Sequence, residues 1–411
     1  MEDMEAKFRQ EAMTEENPRW EKGIERKERL YHRQNDIRSE FARDYTRILH
    51  CLSYRRLKHK TQVFFNVHND HICTRMEHVL HVESVSGTIG KALGLNTDLI
   101  RAIAMGHDLG HAPFGHSGEQ IISKLCEEYL EEKFWHEKNG VYVVDKLDLL
   151  DSPQDRYKNL NLTYAVRDGI ISHCGEVDEN GLKPREEALD LCEIKRAGQY
   201  NAYTWEGCVV KLADKIAYLG RDIEDAIKLH VLSKKDLNPL LRAAKSYGHE
   251  TLNTSVIMHE FVTDLIMHSS PENGIGFSTD KVEFMQEIKN FNYEHIYKNK
   301  KLSAFVKYSE LVLQTIFEYL MEYYDDKKTL DSLSRHSADN QVLLDFHNWV
   351  IKFVDPDCVP TEAYYLQARY DNEKIYGRME EKSTYVRAVI DFISGMTDAY
   401  AIQCFENIIT F

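Results

Sequence analysis

Arg101-Ala-Ile-Ala-Met-Gly-His107-Asp108-Leu-Gly-His111-Ala-Pro-Phe-Gly-His116-Ser-Gly-Glu119 is the stretch around which this 411-residue chain is organised. Ile100, Ile103 and Ala104 recur at helical spacing, and His107 continues that face seven residues after Ile100. Thr97 is the expected N-cap, and Gly110 with Pro113 is the expected stop. His107 and Asp108 therefore fall at a helix end, followed by a tight loop that turns His111, His116 and Glu119 back toward the same point. A neutral imidazole beside a carboxylate at a rigid helix end can share one divalent cation. An isolated His-Asp pair is more often a cap in a polar loop; the density of histidine here favours the cation.

Working outward, Arg75-Met-Glu-His78 opens a helix on which His78, Val82, Val85 and Ile89 share the buried face. Downstream, Trp205–Asp225 reads as another helix, with Asp214 on the apolar stripe of Val210, Ala213 and Ala217. A buried carboxylate is costly unless it is paired or binds a metal. Lys215, Tyr218 and Asp222 follow on or beside that stripe. Between these blocks lie a helix over about 118–132, the His136-Glu137 step and a helix starting near Thr163; 174–204 reads as a polar loop. His78, His107, Asp108 and Asp214 form a mixed N/O set that suits Mn, Fe, Co, Ni or Zn, and Mg less well. A cation so held polarises a phosphoryl oxygen and makes water a usable nucleophile. His111, His116 and His136 remain as proton donors or charge neutralisers, with Glu119 orienting His116 from i+3. Arg75, Lys215 and the Tyr218 hydroxyl are natural phosphate binders.

Eight prolines and twenty glycines interrupt long runs of helix formers, so a mainly α protein is expected. Val63–Val67 is one of few strand candidates. Eight cysteines with no C-x-x-C pair suit reduced, buried thiols in a cytoplasmic protein. No apolar run reaches membrane-spanning length, and the charged N-terminus is no signal peptide. A net charge of −15 argues against an extended nucleic-acid surface and makes any phosphate site depend on a local basic cluster. Arg55, Arg56, Lys58, His59 and Lys60 form the most basic short stretch. Residues 1–34 read as a charged, solvated arm. Residues 35–230 read as the catalytic core, and 231–411 as amphipathic helices packed on it and in oligomer contacts. No G-x-x-x-x-G-K-[ST] or H-E-x-x-H occurs, and Gly115-His-Ser117-Gly-Glu119 lacks the last glycine of a nucleophile elbow.

These residues resemble the HD-domain deoxyguanosine triphosphate triphosphohydrolases (dGTPases) and related dNTPases. Arg75-Met-Glu-His78, Gly-His107-Asp108-Leu-Gly-His111-x-Pro-Phe-Gly-His116-x-Gly-Glu119, His136-Glu137 and Asp214-Lys215-Ile-Ala-Tyr218 fall in that family's order. Arg43-Asp44, Arg56-Leu-Lys-His-Lys-Thr-Gln62 and the late Gly395-Met-Thr-Asp398 match as well. The resemblance implies an all-α HD-domain helical core with additional C-terminal helices and at most a short β-hairpin. It implies His78, His107, Asp108 and Asp214 as ligands of one divalent ion per subunit. His116 with Glu119 would be the catalytic dyad beside the α-phosphate, with His111 and His136 next to it. Arg75, Lys215 and Tyr218 would contact phosphate and sugar. Gln62 and Asp222 would recognise the deoxyribose 3′-hydroxyl, and the Tyr218 ring would exclude a ribose 2′-hydroxyl. The implied reaction is water attack on the α-phosphorus of a dNTP, giving deoxynucleoside and tripolyphosphate, in a homo-oligomer. Two other readings use the same residues: an HD phosphohydrolase of nucleoside monophosphates or other phosphoesters, and a dNTP sensor without turnover. The His111, His116, Glu119 and His136 set weighs against a sensor, which needs no proton-transfer array.

Overall fold

The structure, a computed structural model, describes residues 6–31, 35–64, 71–174, 180–246, 253–359 and 367–410. The principal helices are α1 (Glu40–His50), α2 (Arg75–Leu93), α3 (Thr97–Gly106), α4 (Gly115–Leu130), α5 (His136–Tyr142), α6 (Tyr164–Ser172) and α7 (Trp205–Lys228). They continue as α8 (Thr254–His268), α9 (Thr279–Asn292), α10 (Ser303–Met321), α11 (Gln341–Val350), α12 (Lys382–Ser394) and α13 (Asp398–Ile409). Among the described residues the strands are a single antiparallel hairpin, β1 (Leu149–Asp151) with β2 (Tyr157–Asn159). The all-α expectation holds, hairpin included.

Two compact units are interleaved along the chain. The first is Met1–Leu49, His68–Asp108 and Leu162–Ala304; the second is His50–Val67, Leu109–Asn161 and Phe305–Phe411.

In the first unit, α2 packs against α3, α7 and α8, and α6 packs against α3 and α7. Thr74 and Glu77 start α2 with a reciprocal capping box. Helix α2 approaches α3 so closely that a Cβ on Gly90 would lie 2.0 Å from Ile100 Cδ1. The cap of α3 is Asn96, not Thr97: its side-chain oxygen accepts from the N–H groups of Asp98 and Leu99. Helix α3 also ends earlier than Gly110, with Gly106 as its last residue and His107 as C-cap. Thr163 precedes α6, where a new helix is expected, and its N–H and hydroxyl both donate to the buried Asp44. The N-terminal stretch is not a free arm. Phe8, Ala12 and Met13 are buried, and Phe8 N–H donates to Leu93 O at 2.9 Å. Arg26 pairs with Asp44 at 2.5 Å and Glu40 at 2.8 Å. A few well-placed apolar side chains anchor a segment whose composition alone looks solvated.

In the second unit, α12 packs on α4 and α11 over a core that includes Ile122, Leu313, Phe346, Tyr385 and Val389. Helix α4 starts at Gly115, earlier than expected, because Phe114 adopts a left-handed backbone (φ 64°) as its N-cap. Asp398 holds that conformation, Oδ1 accepting from Phe114 N–H at 2.9 Å while Oδ2 accepts from Thr61 N–H and Oγ1 at 3.1 and 2.6 Å. Part of the basic stretch does structural work. Arg56 donates to Gly395 O at 2.8 Å, and the buried Lys60 donates to Ser394 O at 3.1 Å and to His111 O. Val63 and Phe64 form no strand, and Phe65–Val67 lie outside the described residues. Of the cysteines, Cys192 is exposed and Cys358 half-buried; the other six are buried, and all are free thiols. No helix among the described residues is long and apolar enough to cross a membrane.

Candidate active site

In the first unit, α2 and α7 bring His78 and Asp214 together, with Nε2 2.8 Å from Oδ1. His107 Nε2 lies 3.8 Å from that same oxygen and 3.6 Å from Asp108 Oδ1. Ligand atoms of His78, His107 and Asp214 all lie within 4.8 Å of one another. His78, His107 and Asp108 are buried, and Asp214 nearly so. His107 Nδ1 sits 2.7 Å from Ala104 O, so the proton belongs there and the Nε2 lone pair faces the cluster. That Nε2 is buried and has no hydrogen-bond partner among the described residues. An unmet buried acceptor costs roughly 1–3 kcal/mol. His78, His107 and Asp214 converge on an orphaned lone pair, a mixed N/O set that fits a divalent ion of the borderline class, while Asp108 lies at its edge and is not within mutual reach of all three.

Charge within the cluster is tightly coupled. Burial opposes a charged His78, but the Asp214 carboxylate outweighs it and raises the imidazole. Burial likewise opposes an ionised Asp214; the His78 hydrogen bond, with His78, His107 and His173 around it, holds the carboxyl well below its ordinary range. Arg75, read from the sequence as a phosphate binder, also has a partner inside the cluster. Its guanidinium is buried and donates to Asp108 Oδ2 at 3.1 Å, and Nε has no hydrogen-bond partner among the described residues. Farther along α7, Lys215 and Asp222 are buried and Tyr218 is half-buried, and the Tyr297 hydroxyl donates to Asp222.

His173 was not singled out from the sequence. At the end of α6 its Nδ1 bonds Ile170 O at 2.6 Å, as His107 does with Ala104, and its ring meets that of His107 edge-on with centroids 5.0 Å apart. The available signal was the shared pattern: an apolar helix ending in histidine.

In the second unit, Glu119 gathers three imidazoles. It pairs with His111 Nδ1, and its Oε2 lies 3.4 Å from His136 Nδ1 and 3.6 Å from His116 Nδ1. The His111 and His136 rings stack with centroids 3.7 Å apart. Burial pushes the Glu119 carboxyl up, but the charges of His111 and His136 hold it well below its ordinary value. Glu119 is thus bound more directly to His111 than to His116, whose separation exceeds a hydrogen bond. His116 is the exposed member, at 63%. A Cβ on Gly110 would lie 2.0 Å from His136 O, so only glycine lets these segments meet; Asn139 Nδ2 donates to Gly110 O at 2.8 Å. Gln62 is half-buried, with Oε1 lacking a hydrogen-bond partner among the described residues. Along the chain, only Leu109 and Gly110 separate Asp108 from His111.

A sequence profile of the HD domain matches residues 75–219, the span that contains His78, His107, Asp108 and Asp214, and one of the phosphohydrolase-associated domain matches 362–407. A deoxyguanosinetriphosphate triphosphohydrolase-like protein of Caldanaerobacter subterraneus is 34% identical over 374 residues, covering 91% of this chain and 86% of its own. Proteins of the same name from Clostridium tetani and Rickettsia canadensis are 31% and 28% identical; each alignment covers 91% of this chain, with 87% and 94% of the relative. An HD domain is a metal-dependent phosphohydrolase domain, and the His78, His107 and Asp214 cluster is of a kind that can hold a metal ion. The chain is a phosphohydrolase belonging to the HD-domain family of deoxyguanosinetriphosphate triphosphohydrolase-like proteins.

Proposed function

We propose that this protein hydrolyses deoxynucleoside triphosphates at the α-phosphorus, releasing deoxynucleoside and intact tripolyphosphate. The observation that carries the reading is the orphaned His107 Nε2 beside His78, Asp108 and Asp214, in a chain whose relatives are named for dGTP triphosphohydrolysis. In this reading those four side chains hold one divalent ion per subunit, drawn from Mn, Mg, Fe, Co, Ni or Zn. When bound, the ion supplies Lewis acidity, polarising a phosphoryl oxygen and acidifying water.

The remaining roles belong to the chain itself. Arg75 keeps Asp108 oriented toward the cluster and adds positive charge for phosphate. Lys215 and Tyr218 contact the phosphates and sugar, and the Tyr218 ring leaves no room for a 2′-hydroxyl. Gln62 and Asp222 accept from the 3′-hydroxyl. Glu119, held ionised by the His111 and His136 charges, orients the imidazoles around it. His116, the exposed member of that group, donates its proton to the departing 5′-oxygen. His111 and His136 neutralise charge that develops on the phosphate. The active form is a cytoplasmic homo-oligomer.

Chromatography of the purified protein with each dNTP and NTP, across several metals, tests the reading. Deoxynucleoside and tripolyphosphate are the expected products. Orthophosphate from nucleoside monophosphates would replace the proposal with a monoesterase, and thermal stabilisation by dNTPs without any product would replace it with a sensor.

A further inference from the structure

Asp222 already carries a partner. It lies eight residues beyond Asp214 on α7, 3% exposed, and accepts from the hydroxyl of Tyr297. Tyr297 itself is at the rim, 38% exposed. It comes from Tyr293–Tyr297, a single π-helical turn that extends α9. Such turns rotate the side chains that follow them and recur at functional sites. This one is pinned against α7: Asn292 Nδ2 donates to Leu219 O at 3.1 Å, one turn before Asp222. Ile296 is fully buried, and Lys301 Nζ donates to His230 O at 2.6 Å.

A tyrosine ring this exposed contributes modestly through burial, so its contact with α7 is made chiefly by its hydroxyl. A hydroxyl donated to a carboxylate is among the stronger hydrogen bonds and fixes the carboxylate rotamer. A carboxylate has about four acceptor sites, so accepting from Tyr297 does not by itself fill it. We propose that Tyr297 is a positioning residue that sets Asp222 for the sugar 3′-hydroxyl, and so determines how strongly the enzyme prefers substrates that carry that hydroxyl. This rests on the role given to Asp222 in the proposed function. A site built to bond a substrate hydroxyl rejects the analogue lacking it, because its own polar groups are then left unpaired.

The test measures kcat and KM of the metal-loaded, full-length protein for dGTP and for 2′,3′-dideoxyguanosine triphosphate, in wild type and Tyr297→Phe. Losing one charge-assisted hydrogen bond is expected to raise KM for dGTP about five- to tenfold. The kcat should stay within about twofold, as befits lost uniform binding. KM for the dideoxy nucleotide stays unchanged, so the preference for dGTP narrows by the same factor. In an Asp222→Ala background, Tyr297→Phe has no further effect, because the two act as one unit. Equal losses on both nucleotides, or additive losses in the double variant, would overturn the inference while leaving the enzyme's function standing. Failure of the wild type to release tripolyphosphate from dGTP would remove the functional reading, and this inference with it.

Discussion

Glu206 offers a perturbation whose size and sign follow from the structure. It lies in the first turn of α7, fully buried, and Oε1 accepts from the N–H groups of Met13 and Asn96 at 2.9 and 3.0 Å. Oε2 is buried with no hydrogen-bond partner among the described residues. Burial lifts this acid from 4.5 to about 7, with the two N–H bonds and its own backbone amide pulling the other way. Between those values the unfolded chain has released the proton and the folded chain still holds it. The folded state then binds more protons, so stability falls as pH rises. The contribution is fully present below pH 4.5 and lost above about 7. Its full span corresponds to about 3 kcal/mol. Glu206→Gln keeps the oxygen that accepts both N–H bonds and removes the titration. It also buries an amide NH₂, a pH-independent cost of about 1–3 kcal/mol. Relative to wild type, the variant should therefore gain about 3 kcal/mol between pH 4.5 and 8, or about 3–4 °C in Tm if all 411 residues unfold together. Thermal melts of both proteins at half-unit pH steps give the difference directly. Other buried acids cancel in it, including Asp391, raised to about 6. Parallel curves across that range would refute the reasoning.

Asp398→Ala strands the N–H of Phe114 and both donors of Thr61, and should cost about 3 kcal/mol in urea unfolding while lowering turnover. Gly110→Ala drives a Cβ into the His136 carbonyl, so the two segments must part; turnover should fall at least about tenfold with metal content unchanged. His116→Ala should lower kcat by about 10²-fold or more without loss of metal; lost metal would mean that its role is misassigned.

The parts of the site that ride on helical periodicity were legible in advance. The stripe that carries Asp214 and the apolar face that carries His78 follow from spacing alone, and the structure places His78 Nε2 2.8 Å from Asp214 Oδ1. Capping was legible only to within a residue: Asn96 and Thr97 are both good caps, and only geometry shows which side chain reaches two free amides. Phe114 could not be read locally. A left-handed phenylalanine beside a glycine is held by Asp398, 284 positions away. The same holds for Lys60 and Arg56: a run of positive charge reads locally as a solvated helix face or a functional cluster, and two of its members instead bind backbone carbonyls. Residues 6–31 misled through composition, since burial of Phe8 and Met13 depends on what they meet, not on their charged neighbours. Interleaving of the two units has no local signature at all, because it arises from contacts distant in sequence.

Elemental analysis of the purified protein beside its Asp214→Ala and His78→Ala variants tests the four-ligand centre directly. The account predicts about one divalent ion per chain in the wild type and little in either variant, with melting otherwise cooperative. A wild type that binds no divalent ion, or variants that keep the full complement, would contradict it.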